Sequence, residues 1–85
     1  MDDDRRIKKY VDVSAVFTSS GKLIPRQIMT DDGMKYKIDR VTEIRRAASV
    51  RAGGSGIRYT CTVRGRQCYL FYEENYRWFV ELKAS

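Results

Sequence analysis

Residues 57–72 read Ile57-Arg58-Tyr59-Thr60-Cys61-Thr62-Val63-Arg64-Gly65-Arg66-Gln67-Cys68-Tyr69-Leu70-Phe71-Tyr72. Ile57, Tyr59, Cys61 and Val63 alternate with Arg58, Thr60, Thr62 and Arg64. A period of two marks a strand, because successive side chains leave opposite faces of the pleat. Gly65-Arg66 predicts a tight hairpin into a return strand over residues 67–73, with Val63 against Cys68 and Cys61 against Leu70. Cys68 to Tyr72 is apolar throughout, as expected of a strand covered on both faces.

The same alternation extends in both directions. Around Glu74-Asn75-Tyr76 the chain turns again, and a three-residue loop sets Tyr72 opposite Trp78, Leu70 opposite Val80 and Glu73 opposite Arg77. These apolar and opposite-charge pairs support one another in a single register. Upstream, Val11, Val13, Ala15 and Phe17 recur at every second position, and Ser19-Ser20-Gly21-Lys22 reads as a turn. Pro25 places the start of the next strand at a sheet edge or before its ladder. Asp31-Asp32-Gly33 predicts a three-residue hairpin loop with glycine in the left-handed position. Thr30 then faces Met34, Ile28 faces Tyr36, Met29 faces Lys35 and Arg26 faces Ile38. Met34, Tyr36, Ile38, Val41 and Ile44 are expected on the core face, with a bulge or bend near Asp39-Arg40.

Only residues 43–51 leave room for helix, at most one short turn, and Gly53-Gly54-Ser55-Gly56 reads as a flexible connector. The expected fold is therefore all-β, a small antiparallel meander of about six strands curled into a barrel or half-barrel. Its 85 residues suit one small β-barrel domain over 1–85, with residues 1–6 frayed. A chain of this mass buries roughly 64% of its unfolded surface, enough to fold without disulfides or metals.

Composition narrows the function classes. The chain has no histidine, which removes imidazole acid–base chemistry and most metal sites. Its clustered carboxylates, Asp2-Asp3-Asp4, Asp31-Asp32 and Glu73-Glu74, fall at the N-terminus and in turns, where solubility and turn chemistry explain them. Cys61 and Cys68 are expected inward, as small buried hydrophobes. No catalytic residues, metal or cofactor are expected, and the chain reads as no enzyme. The acidic start, without an apolar run after it, gives the expectation of a cytoplasmic protein with no membrane segment.

Charge is confined. Residues 1–39 carry eight basic and seven acidic side chains, and residues 67–85 carry two and three. Residues 40–66 carry Arg40, Arg45, Arg46, Arg51, Arg58, Arg64 and Arg66 against Glu43 alone, which accounts for the whole net charge of +6. Guanidinium groups grip phosphate bidentately and stack on flat rings. The expected face of the last strands also shows Tyr69, Phe71 and Phe79, and aromatics flanked by arginine suit single-stranded nucleic acid.

The candidate anion-binding set is Arg45, Arg46, Arg51, Arg58, Arg64, Arg66 and Tyr69, for nucleic acid or another anionic macromolecule. The alternative is a protein-interaction or self-association module using the aromatic face, with the arginines serving solubility. In that case the N-terminal strand, residues 45–56 or a second subunit covers Tyr69, Phe71 and Phe79.

The stretches Ile24–Val41 and Gly56–Leu82 also resemble a group of short bacterial all-β domains of unknown function. The matching residues are Pro25, Gly33, Tyr36, Ile38, Val41, Arg58, Tyr59, Leu70, Trp78 and Phe79. The resemblance implies a small all-β fold and no catalytic residues.

Overall fold

The structure is a computed structural model and describes residues 6–49, 54–73 and 75–83. Alternation is realised as seven strands: β1 (Arg6–Phe17), β2 (Leu23–Met29), β3 (Lys35–Lys37), β4 (Arg40–Ser49), β5 (Gly54–Val63), β6 (Arg66–Tyr72) and β7 (Trp78–Lys83). All pairings are antiparallel, in the order β3-β2-β1-β7-β6-β5-β4. Strands consecutive in sequence pair, except β3 and β4, while β1 pairs with β7 across the chain, and no helix occurs among the described residues.

Two places curl the sheet into a half-barrel. The long strand β1 pairs with β7 from Arg6 to Val11 and with β2 from Asp12 to Phe17, so it passes from one part of the sheet to the other at mid-length. At the far side, β3 and β4 are the two ends of the strand order, yet only Ile38 and Asp39 separate them. The Ile38 N–H donates to the Arg26 carbonyl at 2.9 Å and the Asp39 N–H to the Thr62 carbonyl at 2.8 Å. These two residues therefore tie one end of the sheet to the other, and what reads in sequence as one bent strand is two.

The core fills the concave side. Ile28, Ile38, Tyr59, Cys61, Leu70 and Trp78 are buried there, with Val11, Val13, Leu23, Tyr36, Val41, Ile57 and Tyr72 packed against them. Tyr59 and Trp78 rings lie 5.5 Å apart, and the Tyr59 hydroxyl finds the Leu23 carbonyl at 2.5 Å. That bond satisfies the one polar atom of a buried tyrosine.

Several expected registers hold. Ile28 faces Tyr36, Met29 faces Lys35, Tyr72 faces Trp78 and Leu70 faces Val80. Gly33 takes φ of 86°, and the Thr30 N–H reaches the Met34 carbonyl at 2.9 Å, closing the three-residue loop. Others are corrected. The β5–β6 turn is Arg64-Gly65, both at positive φ (51° and 75°), so Val63 pairs with Arg66, Cys61 with Cys68 and Tyr59 with Leu70. A two-residue turn with both centres left-handed matches strand twist; it moves the register by two and leaves every side chain on its expected face.

Residues 43–49 are strand, not helix, because they continue the β4 ladder against β5. The bend expected near Asp39-Arg40 is the passage from β3 to β4, and a separate bulge falls between Val41 and Glu43. Met34 and Ile44 lie exposed, off the core. Arg6, expected to fray, pairs with Lys83. Pro25 sits within the ladder, buried beside a bulge that absorbs its missing N–H.

Gly54, Ser55 and Gly56 belong to β5 rather than to a connector. At Gly56 a side chain is excluded: a Cβ would stand 2.1 Å from the Tyr72 carbonyl oxygen. The close approach of two backbones explains the residue.

Candidate anion-binding face

The outward positions of β5 are Arg58, Thr60 and Thr62, opposite Phe71, Tyr69 and Gln67 of β6. On the other side they face Arg45, Glu43 and Arg40 of β4. Two guanidinium-bearing residues, Arg45 and Arg58, thus stand directly opposite one another on one face. Arg58 stacks over the Tyr69 ring, its Cζ 4.6 Å from the centroid, and its Nη2 lies 3.3 Å from the Glu43 carboxylate. Its Nε is buried with no hydrogen-bond partner. The Glu43 carboxylate thus pairs with Arg58, Glu81 of β7 stands beside Tyr69 on the same face, and one donor of Arg58 is unused.

The remaining expected arginines lie elsewhere. Arg46 alternates to the other face of β4, opposite Ile57. Arg64 and Arg66 belong to the turn end of the β5–β6 hairpin, about 20 Å from Arg58 along an extended strand. There Arg64 stacks over Tyr36 at 4.9 Å, and its N–H donates to Asp39 Oδ2 at 3.1 Å. Arg51 lies outside the described residues. Arg40, which belonged to the basic run but not to the expected set, is opposite Thr62 and exposed on the same face as Arg45 and Arg58. Reading residues 43–49 as strand would have separated Arg45 from Arg46 by alternation alone.

The aromatic platform is smaller than expected. Phe71 and Phe79 are outward on the sheet but 1% and 0% exposed. Their rings stack at 4.7 Å with 1° between planes, and Tyr10 of β1 meets Phe79 edge-on at 6.2 Å. Lys8 lies 4.9 Å from the Phe79 ring, and Arg77 lies 3.4 Å from that of Tyr10. β1, the strand beside β7, supplies the cover through its Tyr10 and Lys8 side chains. Glu73 fixes it, accepting from the Tyr10 hydroxyl at 2.7 Å and from Lys8 Nζ at 3.0 Å. The Tyr10 bond, then the Lys8 bond, hold the Glu73 carboxyl below its ordinary range against some desolvation, and Glu73 holds Lys8 above its own. Of the three expected rings, Tyr69, 38% exposed, is the one left reachable.

An apolar-lined opening adds to the surface. A cavity of about 540 Å³ at one mouth of the half-barrel is lined by Phe17, Leu23, Ile44, Ile57, Tyr59 and Tyr72. Phe17 and Ile44 there are 76% and 45% exposed. Among the described residues no cluster of three or more metal-ligating side chains occurs, and no helix is long and apolar enough to cross a membrane. Compared with known protein families, curated proteins and solved structures, the chain matches none.

Proposed function

We propose that the chain is a non-catalytic binding module for an anionic polymer, nucleic acid first, received on the β4–β5–β6 face at Arg40, Arg45, Arg58 and Tyr69. The supporting observation is the cross-strand pair Arg45 and Arg58. Like charges directly opposite destabilise an antiparallel pair, so a phosphate between them relieves a repulsion the fold otherwise carries. Tyr69 and the Arg58 guanidinium stacked on it together offer a flat platform for one base, and base–aromatic stacking tolerates any sequence. Titration of labelled single- and double-stranded oligonucleotides at two salt concentrations tests this. Affinity should fall with salt at a slope set by the number of phosphates neutralised. No binding at low salt, or binding indifferent to Arg45→Ala with Arg58→Ala, overturns it.

A second reading, self-association, has its own support. β4 ends the strand order, paired with β5 alone among the described residues. Two copies of β4 laid antiparallel about Ile44 put Glu43 of each opposite Arg45 of the other, Ile44 on Ile44, and Val41 opposite Ala47. Sedimentation equilibrium distinguishes this reading: Arg45→Glu should dissociate such a dimer, and adding Glu43→Arg should restore it.

A further inference from the structure

Cys61 and Cys68 take no part in that face. They stand directly opposite one another on β5 and β6, both as free thiols. Directly opposed residues of an antiparallel pair hold their Cα atoms about 4.5–5.5 Å apart, within the span a disulfide bridges. Their surroundings differ. Cys61 is fully buried, whereas Cys68, packed against the same core, is only half-buried. The Cys61 thiol has two acceptors in reach, the Tyr59 carbonyl at 3.6 Å and the Cys68 sulfur. Donation to Cys68 favours a thiolate there more than burial opposes it, and it holds the Cys61 proton in place. Cys68 is thus the more reachable of the two sulfurs, and Cys61 is enclosed behind it.

We infer that the pair is a hydroperoxide-reactive site, with Cys68 as the attacking sulfur and Cys61 as the resolving one. The Cys68 thiolate attacks the terminal oxygen of a small hydroperoxide. The O–O bond breaks, the alkoxide leaves and takes a proton from water, and Cys68 becomes a sulfenic acid. Its sulfur is oxidised by two electrons and the peroxide is reduced by two. The Cys61 sulfur then attacks the Cys68 sulfur, the S–O bond breaks, and the leaving hydroxide carries off the Cys61 proton as water. The sum is two thiols and one hydroperoxide giving one disulfide, one alcohol and one water. Low-pKa, accessible thiols beside a resolving partner are the ones that follow this route.

The test uses the reduced chain and a stoichiometric amount of hydrogen peroxide, read by intact mass and by alkylation. The wild type should lose two hydrogens without gaining oxygen, stay monomeric on a non-reducing gel, and regain both thiols with dithiothreitol. Cys61→Ser should instead gain one oxygen, trapped on Cys68 by a 1,3-dione reagent. Cys68→Ser should react roughly tenfold more slowly or worse. Should the serine at position 61 unfold the domain by circular dichroism, Cys61→Ala carries the trapping. Equal rates for wild type and Cys68→Ser, bonds formed only between chains, or sulfinic acid on wild-type Cys68 overturns the assignment.

Discussion

The Tyr10 hydroxyl donates to the Glu73 carboxylate at 2.7 Å, across 63 positions of sequence. That bond and the Lys8 ion pair hold the Tyr10 and Lys8 side chains of the first strand against Phe79, at the edge of the Phe71–Phe79 stack. Glu73→Gln keeps the shape and removes the charge, and should lower stability by about 1.5–3 kcal/mol, the range for a hydrogen bond to an ionised group. The pH dependence follows from the depressed Glu73 pKa. The unfolded chain takes up the proton first as pH falls, so the contribution is complete above the ordinary carboxylate range. It is lost as pH falls through the lower, native value. Thermal melts of the two proteins should differ at neutral pH and converge in acid; a gap constant through that range would show that charge on Glu73 contributes nothing.

Phe79 is fully buried on the side of the sheet away from the main core. Its removal therefore tests whether the covered outer layer is a second core. Phe79→Ala should cost about 3–5 kcal/mol, the range for deleting a buried aromatic, a large share of the stability of a domain this size. Phe71→Ala should behave alike, and Phe17→Ala, at an exposed ring, should change stability by less than about 0.5 kcal/mol. Equal losses at positions 17 and 79 in urea titrations would contradict the burial pattern.

The fold was legible where side chains alternate and loops have strong turn residues. Asp31-Asp32-Gly33 and the Tyr72–Trp78 pairing follow from local rules, and both registers are found. Residues 43–49 were opaque because RRAAS has no apolar alternation: β4 is held by its ladder to β5, a tertiary cause that local propensity does not contain. The Arg64-Gly65 turn was missed because arginine seldom takes positive φ. The candidate face was half legible. Composition localised the arginines to residues 40–66, but the strand assignment at 43–49 decides which of them share a face. The cover over Phe79 depends on Glu73, Tyr10 and Lys8 converging from distant positions, which no spacing rule anticipates.

Gly56 lets β5 pass close to the end of β6, where a Cβ would meet the Tyr72 carbonyl oxygen at 2.1 Å and its carbon at 2.9 Å. Both obstacles are backbone, so neither can rotate away. Gly56→Ala should destabilise the domain by more than about 2 kcal/mol. Gly21→Ala, where space is open but φ is 87°, carries only conformational strain, expected at about 1–2 kcal/mol. Urea unfolding of the pair checks the order; a Gly56→Ala loss smaller than that of Gly21→Ala would place the crossing of these backbones elsewhere.

Arg45→Ala separates a ligand-binding cation from a structural one, because its effects on stability and on binding should run in opposite directions. Relieving the repulsion with Arg58 should raise stability by roughly 0.2–1 kcal/mol. The same change removes one phosphate contact, so the slope of log affinity against log salt should shrink by about 0.7 for a single-stranded oligonucleotide. Arg58→Ala should weaken binding likewise but lower stability, since its guanidinium covers Tyr69 and pairs with Glu43. Arg64→Ala, held at the far turn by Asp39 and Tyr36, should leave the slope unchanged. A slope that responds to position 64 and ignores 45 would move the binding surface to the hairpin end. A loss of stability at position 45 would mean that Glu43 already neutralises both arginines, and the repulsion on which the face is argued would not exist.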